Sequence, residues 1–486
     1  MSFVSWEFPL FFALVLLGLR IARTRGARQA WLLVASCVFY ASGTPVHLLV
    51  LAIPAVVDYV CALRIAESGD AAVRRRWLVL SVGSNLGLLA YFKYADFFVS
   101  TIASLSGMSV ETLGIALPIG ISFFTFKTLS YTIDVYRGEI PPCRSWRQYA
   151  LFVSFFPELV AGPIVRASVF LPQLARELEP SWARAAVGAQ VILLGLTKKL
   201  LIANRLALFA DPVFASPQAY SAGTLAWAVV AYSLQIYCDF SGYSDMAIGV
   251  ARIIGFDLPE NFNMPYLSRS VTEFWRRWHI TLSQWLRDYL YIPLGGNRKG
   301  RGRTYVNLML TMLLGGLWHG ARWNFVLWGF IHGAALAVHK LVSERRTVAV
   351  HERSRVATIA TSMLSWVATY LTVCIAWIFF RAPTLANALY MIRKLARQEP
   401  GGAVWHFLPL FELLPLVILA HVAGVMIARR QSRPGDALVV RPSAISGPYA
   451  VLPRAGFVSA FVLTMWVGIL FLFAPLHTSP FIYFQF

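Results

Sequence analysis

Charged residues are scarce in this 486-residue chain, at 14% of all residues, and acidic residues are the scarcer kind, with 23 against 43 lysines and arginines. The resulting net charge of +20 does not predict nucleic-acid binding, because the arginines lie in short clusters between apolar runs. Such clusters are typical of the cytoplasmic loops of membrane proteins. No hydrophilic block is long enough to fold as a separate soluble domain.

Cysteine is also sparse and its placement excludes two classes of site. The five cysteines lie singly, mostly inside apolar runs, and no CxxC pair or zinc-ligand spacing occurs. We therefore expect neither a disulfide framework nor a bound metal. The cysteines are Cys37, Cys61, Cys143, Cys238 and Cys374.

Apolar residues dominate instead, at 58% of the chain, and runs long enough to cross a bilayer recur from end to end. We predict an all-α polytopic membrane protein with about 11–13 membrane segments, including re-entrant and interfacial helices. The first apolar run has no basic residue ahead of it and no small-residue cleavage site, so we expect a retained span and not a cleaved signal peptide. The basic loops that follow place the N-terminus outside. Counting spans from the N-terminus also puts the basic cluster within residues 384–402 outside, which indicates either an interfacial helix or a miscounted half-span.

Two apolar segments carry unexpected polar residues. Residues 149–166, YALFVSFFPELVAGPIVR, contain prolines and a glycine that predict a broken or re-entrant helix. Glu158 in this segment has two interpretations, a carboxylate satisfied by backbone at the break or a group lining a cavity. In the predicted span 223–252, Asp239 and Asp245 are six residues apart and do not share a face. We expect each to accept hydrogen bonds from basic or hydroxyl groups, with direct substrate contact as the alternative.

The stretch from Ser270 to Gly320 concentrates tryptophan, arginine and histidine. Its first part predicts one amphipathic helix along the membrane surface, which begins at a capping box formed by Ser270 and Glu273. One stripe of that helix is aromatic and apolar and includes His279. The stripe consists of Trp275, Trp278, His279, Leu282, Trp285, Leu286 and Tyr289.

His319 is the histidine whose setting most strongly predicts a reaction. It lies in GGLWHG, where the glycines allow another backbone or a substrate to approach closely. A neutral imidazole in a dehydrated pocket can take a proton from an alcohol, as transfer of an acyl group to a hydroxyl requires. No GxSxG elbow offers a serine acyl acceptor, so direct transfer is the simpler hypothesis. A lone histidine on an apolar face is usually a structural residue, and we interpret four others in this way. They are His332, His339, His406 and His421.

Basic residues flank this stretch and have two interpretations. They can anchor the chain to anionic headgroups, at about 1 kcal/mol per residue. Alternatively they bind a phosphorylated acyl donor such as coenzyme A, whose phosphates suit guanidinium groups. The candidate donor-side residues are Arg276, Arg277, Arg298, Arg301 and Trp278.

Several long motifs resemble a known family. FSGYSDMAIG, ENFNMPYLSRSVTEFWRRWHITLSQWLRDYLYIPLGGNR and NLMLTMLLGGLWHGARWNFVLWGFIHG, with YFKYADFF, LPIGISFFTF and FFPELVAGPIVR upstream, closely resemble the bacterial alginate O-acetylation branch of the membrane-bound O-acyltransferase (MBOAT) family. The resemblance covers roughly residues 1–340. It implies a multi-helix bundle pinched at mid-membrane, with a cytoplasmic opening for the acyl donor and an opposite funnel for the acceptor. By the same resemblance His319 is the essential histidine and His279 the second polar active-site residue.

The resemblance implies one membrane domain over residues 1–486, with N-terminal spans in 1–255, a catalytic region in 256–340 and C-terminal spans in 341–486. It implies a bacterial inner-membrane enzyme that uses acetyl-coenzyme A, without a permanently bound cofactor, to O-acetylate an exported polysaccharide such as alginate. Implied partners are membrane lipid, a periplasmic acetyltransferase or esterase-like protein and the polysaccharide export machinery. Cellulose, peptidoglycan and other surface glycans are alternative acceptors. A transporter or flippase is the alternative from another class, although the chain lacks the repeat symmetry of secondary transporters.

Overall fold

The computed structural model describes residues 1–108, 110–111, 113–176, 181–346, 355–431, 456–474 and 479–482. This part of the chain is helical, and its one β-type contact is an isolated bridge between Tyr220 and Ala403. The predicted all-α fold is therefore confirmed.

The described residues form a long series of helices in chain order. They are α1 (Glu7–Ile21), α2 (Arg25–Ala41), α3 (His47–Glu67), α4 (Ala71–Leu89), α5 (Ala95–Ser106), α6 (Ile121–Arg137), α7 (Trp146–Ser154), α8 (Phe156–Leu159), α9 (Ala167–Ala175), α10 (Trp182–Leu196), α11 (Asn204–Ala215), α12 (Ala222–Ile254), α13 (Val271–Arg277), α14 (Ile280–Leu286), α15 (Arg301–His319), α16 (Trp323–Arg346), α17 (Arg355–Arg381), α18 (Leu385–Arg397), α19 (Leu408–Gln431) and α20 (Phe457–Phe473). Single π-helical segments at Ala90–Tyr94, Thr197–Ala203 and Arg287–Tyr291 follow α4, α10 and α14. Short 3₁₀ turns occur at Pro217–Ala219 and Pro265–Leu267.

Several of these helices are both long enough and apolar enough to span a membrane. Within the described residues, 5 helices are long and apolar enough to cross a bilayer: His47–Glu67, Ala71–Ser106, Trp182–Ala215, Trp323–Glu344 and Val356–Arg381. Leu408–Gly424 and Ala460–Phe473 are apolar but shorter. The chain is thus a multi-pass membrane protein, and the count of about 11–13 segments stays a prediction.

Contacts group the chain into two compact units. The first consists of Met1–Ile192 with Tyr243–Pro259, and the second of Leu193–Gly242 with Glu260–Phe486. Both candidate histidines belong to the second unit. The proposed single domain and its internal boundaries stay predictions.

Hydrogen bonds between side chains join three helices of the first unit. The carboxylate of Asp58 in α3 accepts from Ser81 at 2.5 Å and from Asn85 at 2.7 Å, both in α4. Asn85 in turn accepts from the hydroxyl of Thr128 in α6 at 2.8 Å. All of these side chains are buried, so they satisfy one another where water is excluded.

The predicted interruption in residues 149–166 is present in the first unit. α7 ends at Ser154, the short α8 covers Phe156–Leu159, and α9 begins only at Ala167. Glu158 is buried and forms an ion pair with Lys127 of α6. Its partner is therefore an ammonium group, which neither interpretation of Glu158 named.

Helices α15 and α16 of the second unit meet through glycines. A Cβ on Gly316 would collide with the carbonyl oxygen of Phe325, and one on Gly329 would collide with that of Met312. Such contacts let helix backbones approach closely in membrane proteins. The glycines around His319 thus admit another backbone, one of the two roles predicted for them.

Residues 384–402, whose side of the membrane the sequence left open, contain α18. This helix has 13 residues and is therefore about 20 Å long, too short to cross a hydrocarbon core of about 30 Å. It buries Ala388, Met391 and Lys394, while Arg393 and Arg397 are exposed. An amphipathic interfacial helix fits these properties.

Candidate active site

The predicted amphipathic helix begins where the capping box placed it but does not continue as predicted. The hydroxyl of Ser270 accepts a hydrogen bond from the backbone N–H of Glu273 at 3.1 Å and caps α13. α13 ends at Arg277, and His279 has a left-handed backbone with φ 42°. A second short helix, α14, then starts at Ile280. The prediction of one continuous helix is therefore wrong.

Asn261, from the loop after α12, accounts for the break. Its backbone carbonyl accepts from the N–H of Ile280 at 2.9 Å, and its side-chain oxygen accepts from the N–H and the hydroxyl of Thr281 at 3.3 and 2.9 Å. These donors would otherwise lack partners at the start of α14. A contact from a distant loop thus replaces helical hydrogen bonds that the local sequence favours.

The predicted aromatic stripe is nevertheless buried in full. Trp275 belongs to α13, and Leu282, Trp285 and Leu286 belong to α14, whereas Trp278 and His279 lie at the break and Tyr289 lies in the π-helical segment that follows α14. The buried members are Trp275, Trp278, His279, Leu282, Trp285, Leu286 and Tyr289.

Trp318 brings the two candidate histidines into one aromatic cluster. The His279 ring is fully buried and lies 4.6 Å from Phe240 and 6.1 Å from Trp318, measured between ring centroids. The ring of His319, at the end of α15, lies 4.9 Å from Trp318. The histidines are 40 residues apart in sequence, and the fold places both against the same indole.

The remaining neighbours of His319 come from two other helices. Its ring meets Trp328 of α16 edge-on at 4.9 Å and Phe380 of α17 at 5.3 Å. His319 is 4% exposed, so its imidazole lies in a water-poor setting. Such a setting suits a neutral base.

Three other histidines have hydrogen-bond partners, and their interpretation as structural residues stays a prediction. His332 accepts from the indole N–H of Trp275 at 3.3 Å. His339 shares a hydrogen bond with Thr272 at 2.9 Å. His421 bonds through Nδ1 to the backbone carbonyl of Val417 at 2.9 Å. His406 is exposed.

The candidate donor-side residues divide into two groups. Arg276 and Arg298 are exposed, and the exposed Arg301 lies 3.4 Å from a carboxylate oxygen of Glu344. Arg277 is half-buried because it pairs with Glu273 at 3.0 Å and donates to the carbonyl of Asn263.

Trp278 does not join the arginines at the surface. It is 1% exposed and packs against other aromatic rings, among them Phe262 at 5.0 Å and Trp377 at 5.0 Å. The assignment of Trp278 and the arginines to an acyl donor stays a prediction.

A buried ion pair lies beside this cluster, and the sequence predicted only one of its two partners, Asp239. Asp239 of α12 pairs with Lys199 at 2.5 Å, as its expected role as an acceptor requires, and its second oxygen accepts from the N–H of Ile482 at 2.7 Å. Lys199 also donates to the carbonyl of Ser479 at 2.9 Å. Lys199 was missed, although a lysine inside an apolar run was a signal that it needed a partner.

The fold and site define a helical membrane protein with two histidines buried in one aromatic cluster. The profile of the membrane-bound O-acyltransferase family matches residues 143–391. Over 400 residues, 81% of this chain and 75% of the relative, the chain is 45% identical to the probable alginate O-acetylase AlgI of Pseudomonas aeruginosa. It is 39% identical to the protein of the same description in Azotobacter vinelandii over the full length of both chains.

A third relative acts on a different acceptor by its description. The peptidoglycan O-acetyltransferase of Helicobacter pylori is 40% identical over 395 residues, 76% of this chain and 73% of the relative. The chain belongs to the membrane-bound O-acyltransferase family, and it is a multi-pass membrane O-acyltransferase. This finding favours the enzyme over the transporter or flippase.

Proposed function

We propose that this protein transfers acetyl groups from cytoplasmic acetyl-coenzyme A, in a bacterial inner membrane, for O-acetylation of an exported polysaccharide such as alginate. The observation that carries the proposal is the burial of His279 and His319 around Trp318. The similarity to two probable alginate O-acetylases supports the choice of polymer.

His319 acts as the general base in this proposal. It takes the proton of the acceptor hydroxyl while the hydroxyl oxygen bonds to the acyl carbon of the thioester. The carbon–sulfur bond then breaks, and the proton passes from His319 to the leaving thiolate. His279, whose ring lies 6.1 Å from Trp318, orients or polarises the reacting groups.

The arginines on the predicted cytoplasmic side bind the phosphates of the donor. Arg276 and Arg298 are exposed and offer guanidinium groups suited to phosphate oxygens. A periplasmic acetyltransferase or esterase-like partner receives the acetyl group and places it on the polymer, which the export machinery supplies.

Replacement of the base tests the proposal. His319→Ala, expressed in a strain that lacks its own copy of the gene, is expected to lower the rate of acetyl transfer by about 10²–10⁴-fold and so to deplete the exported polymer of acetyl groups. His406→Ala is the matched control, because His406 is exposed and lies outside the aromatic cluster. Both variants are quantified in the membrane fraction. Polymer acetylation that persists in the His319→Ala strain at normal protein level would contradict the proposal.

Peptidoglycan is the second candidate acceptor, favoured by the similarity to the Helicobacter pylori enzyme. The two acceptors are distinguished by measuring ester-linked acetate separately on exported polysaccharide and on purified peptidoglycan from the same strains. If the His319→Ala strain loses acetate only from peptidoglycan, then peptidoglycan and not alginate is the acceptor. The proposed role of His319 would be unchanged.

A further inference from the structure

Two buried N–H groups on α16, one of them on a ring that contacts His319, have no acceptor among the described residues. One is the indole N–H of Trp328, whose side chain is 1% exposed, and the other is at Nε2 of the fully buried His332. Buried donors in folded proteins are almost always paired, so each of these requires an explanation. The aromatic packing described above accounts for the rings but not for their N–H groups.

The hydrogen bond at Nδ1 of His332 determines which nitrogen of this ring carries the proton. Trp275 donates its indole N–H to Nδ1 of His332 at 3.3 Å. An indole nitrogen is a donor only, so Nδ1 must be the acceptor and the ring proton must lie on Nε2. Nε2 of His332 is therefore a donor, like Nε1 of Trp328.

The two donors are held together close to the candidate base. Trp328 and His332 are four residues apart on α16, so they share a face, and their rings lie 4.7 Å apart. The Trp328 ring also meets the His319 ring at 4.9 Å. The glycine contacts between α15 and α16 let the two helices pack closely and so support this spacing. Donors fixed in advance are the kind that stabilise a developing charge.

We propose that Trp328 and His332 are catalytic residues that donate hydrogen bonds to the carbonyl oxygen of the transferred acyl group. When the acceptor oxygen bonds to the acyl carbon, the carbonyl electron pair moves onto that oxygen, and the two N–H groups stabilise its negative charge. The pair returns to re-form the carbonyl as the carbon–sulfur bond breaks. This inference rests on the proposed function and assigns to the same site the group that binds the acyl oxygen.

The test replaces each donor with a smaller apolar side chain that has no N–H group. Trp328→Phe lacks the N–H, and we expect it to lower kcat by about 10²–10³-fold with little change in the KM for acetyl-coenzyme A. His332→Leu is expected to do the same. His332→Gln keeps a donor near the Nε2 position and an oxygen that accepts from Trp275, so it should recover most of the activity. The assay uses the full chain in native membrane vesicles that carry the periplasmic partner, with radiolabelled acetyl-coenzyme A as the donor and de-acetylated alginate as the final acceptor.

Trp377→Phe and His421→Leu are matched controls for a purely structural role. Trp377 is equally buried, but its N–H donates to the hydroxyl of Tyr266 at 3.2 Å, and His421 bonds to a backbone carbonyl. These variants are expected to lower the temperature of unfolding without a comparable loss of kcat. If Trp328→Phe and His332→Leu behave as these controls do, the N–H groups are structural and the inference is overturned.

Outcomes at His319 separate this inference from the proposed function. Activity retained in His319→Ala contradicts the general-base role whatever the other variants show. Activity lost in His319→Ala but retained in Trp328→Phe and His332→Leu overturns only the assignment of the two donors.

Discussion

The ammonium nitrogen of Lys127 lies 2.5 Å from Oε1 of Glu158, and both side chains are buried. Lys127 also donates to the backbone carbonyl of Phe152, near the end of α7. This pair ties α6 to the interrupted segment that contains α8. Removal of one partner leaves a buried charge without compensation, which costs more than the pair itself contributes.

Lys127→Met is therefore expected to destabilise the protein by about 3–5 kcal/mol. The double variant Lys127→Met with Glu158→Gln should recover a large part of that loss, because no uncompensated charge remains. Thermal unfolding of the detergent-purified variants measures both effects. A double variant as unstable as Lys127→Met alone would show that packing, and not charge, holds this segment.

Gly316→Ala is expected to destabilise the crossing of α15 and α16, since its Cβ would collide with the carbonyl oxygen of Phe325. Relief of such a collision requires backbone movement at a cost of about 1–3 kcal/mol. Gly83→Ala in α4 is the control, because no described atom lies within 4 Å of the position that the added methyl group would occupy. Alanine also favours a helix over glycine by about 0.5–1 kcal/mol. Unfolding temperatures that fall for Gly316→Ala and hold or rise for Gly83→Ala are the expected result.

Substitutions at His279 should separate its backbone role from its chemistry. Its left-handed conformation is tolerated by asparagine but disfavours β-branched residues. We expect His279→Ile to be less stable than His279→Asn by at least about 1–2 kcal/mol. Comparison of their unfolding temperatures, with acetyl transfer measured in parallel, is the test. Equal stability would indicate that the segment at Trp278–Ile280 can relax out of this conformation.

Charge reversal at Arg298 and Arg301 tests the proposed donor side. If these residues bind phosphates of the donor, Arg298→Glu and Arg301→Glu raise the KM for acetyl-coenzyme A more than they affect use of the acceptor. Steady-state kinetics with each substrate varied in turn provide the measurement. Equal effects on both substrates would indicate anchoring to lipid headgroups instead.

Local signals in the sequence were sufficient for several elements of the structure. Ser270 and Glu273 define the start of α13 because capping depends on residues three apart. Prolines and a glycine predict the interruption after Ser154, and the spacing of aromatic residues predicts which side chains around His279 are buried.

Features that depend on distant residues could not be predicted in the same way. The break at His279 requires Asn261, which lies 20 residues before Thr281, and Glu158 finds its lysine 31 residues away. The two N–H donors of Trp328 and His332 lie on a different helix from His319, and the tautomer of His332 depends on Trp275, 57 residues earlier. Each of these contacts exists only once the helices have packed.

The contact between Asp239 and Ile482 joins residues 243 positions apart. A ribosome therefore delivers Lys199 and Asp239 to the membrane long before it makes the backbone groups at Ser479 and Ile482 that complete their hydrogen bonds. Until then the nascent chain carries a lysine–aspartate pair with unfinished coordination next to Phe240, the ring that contacts His279. A protein cut short after α19 would lack both backbone groups, and its buried lysine–aspartate pair would keep two hydrogen bonds unmade.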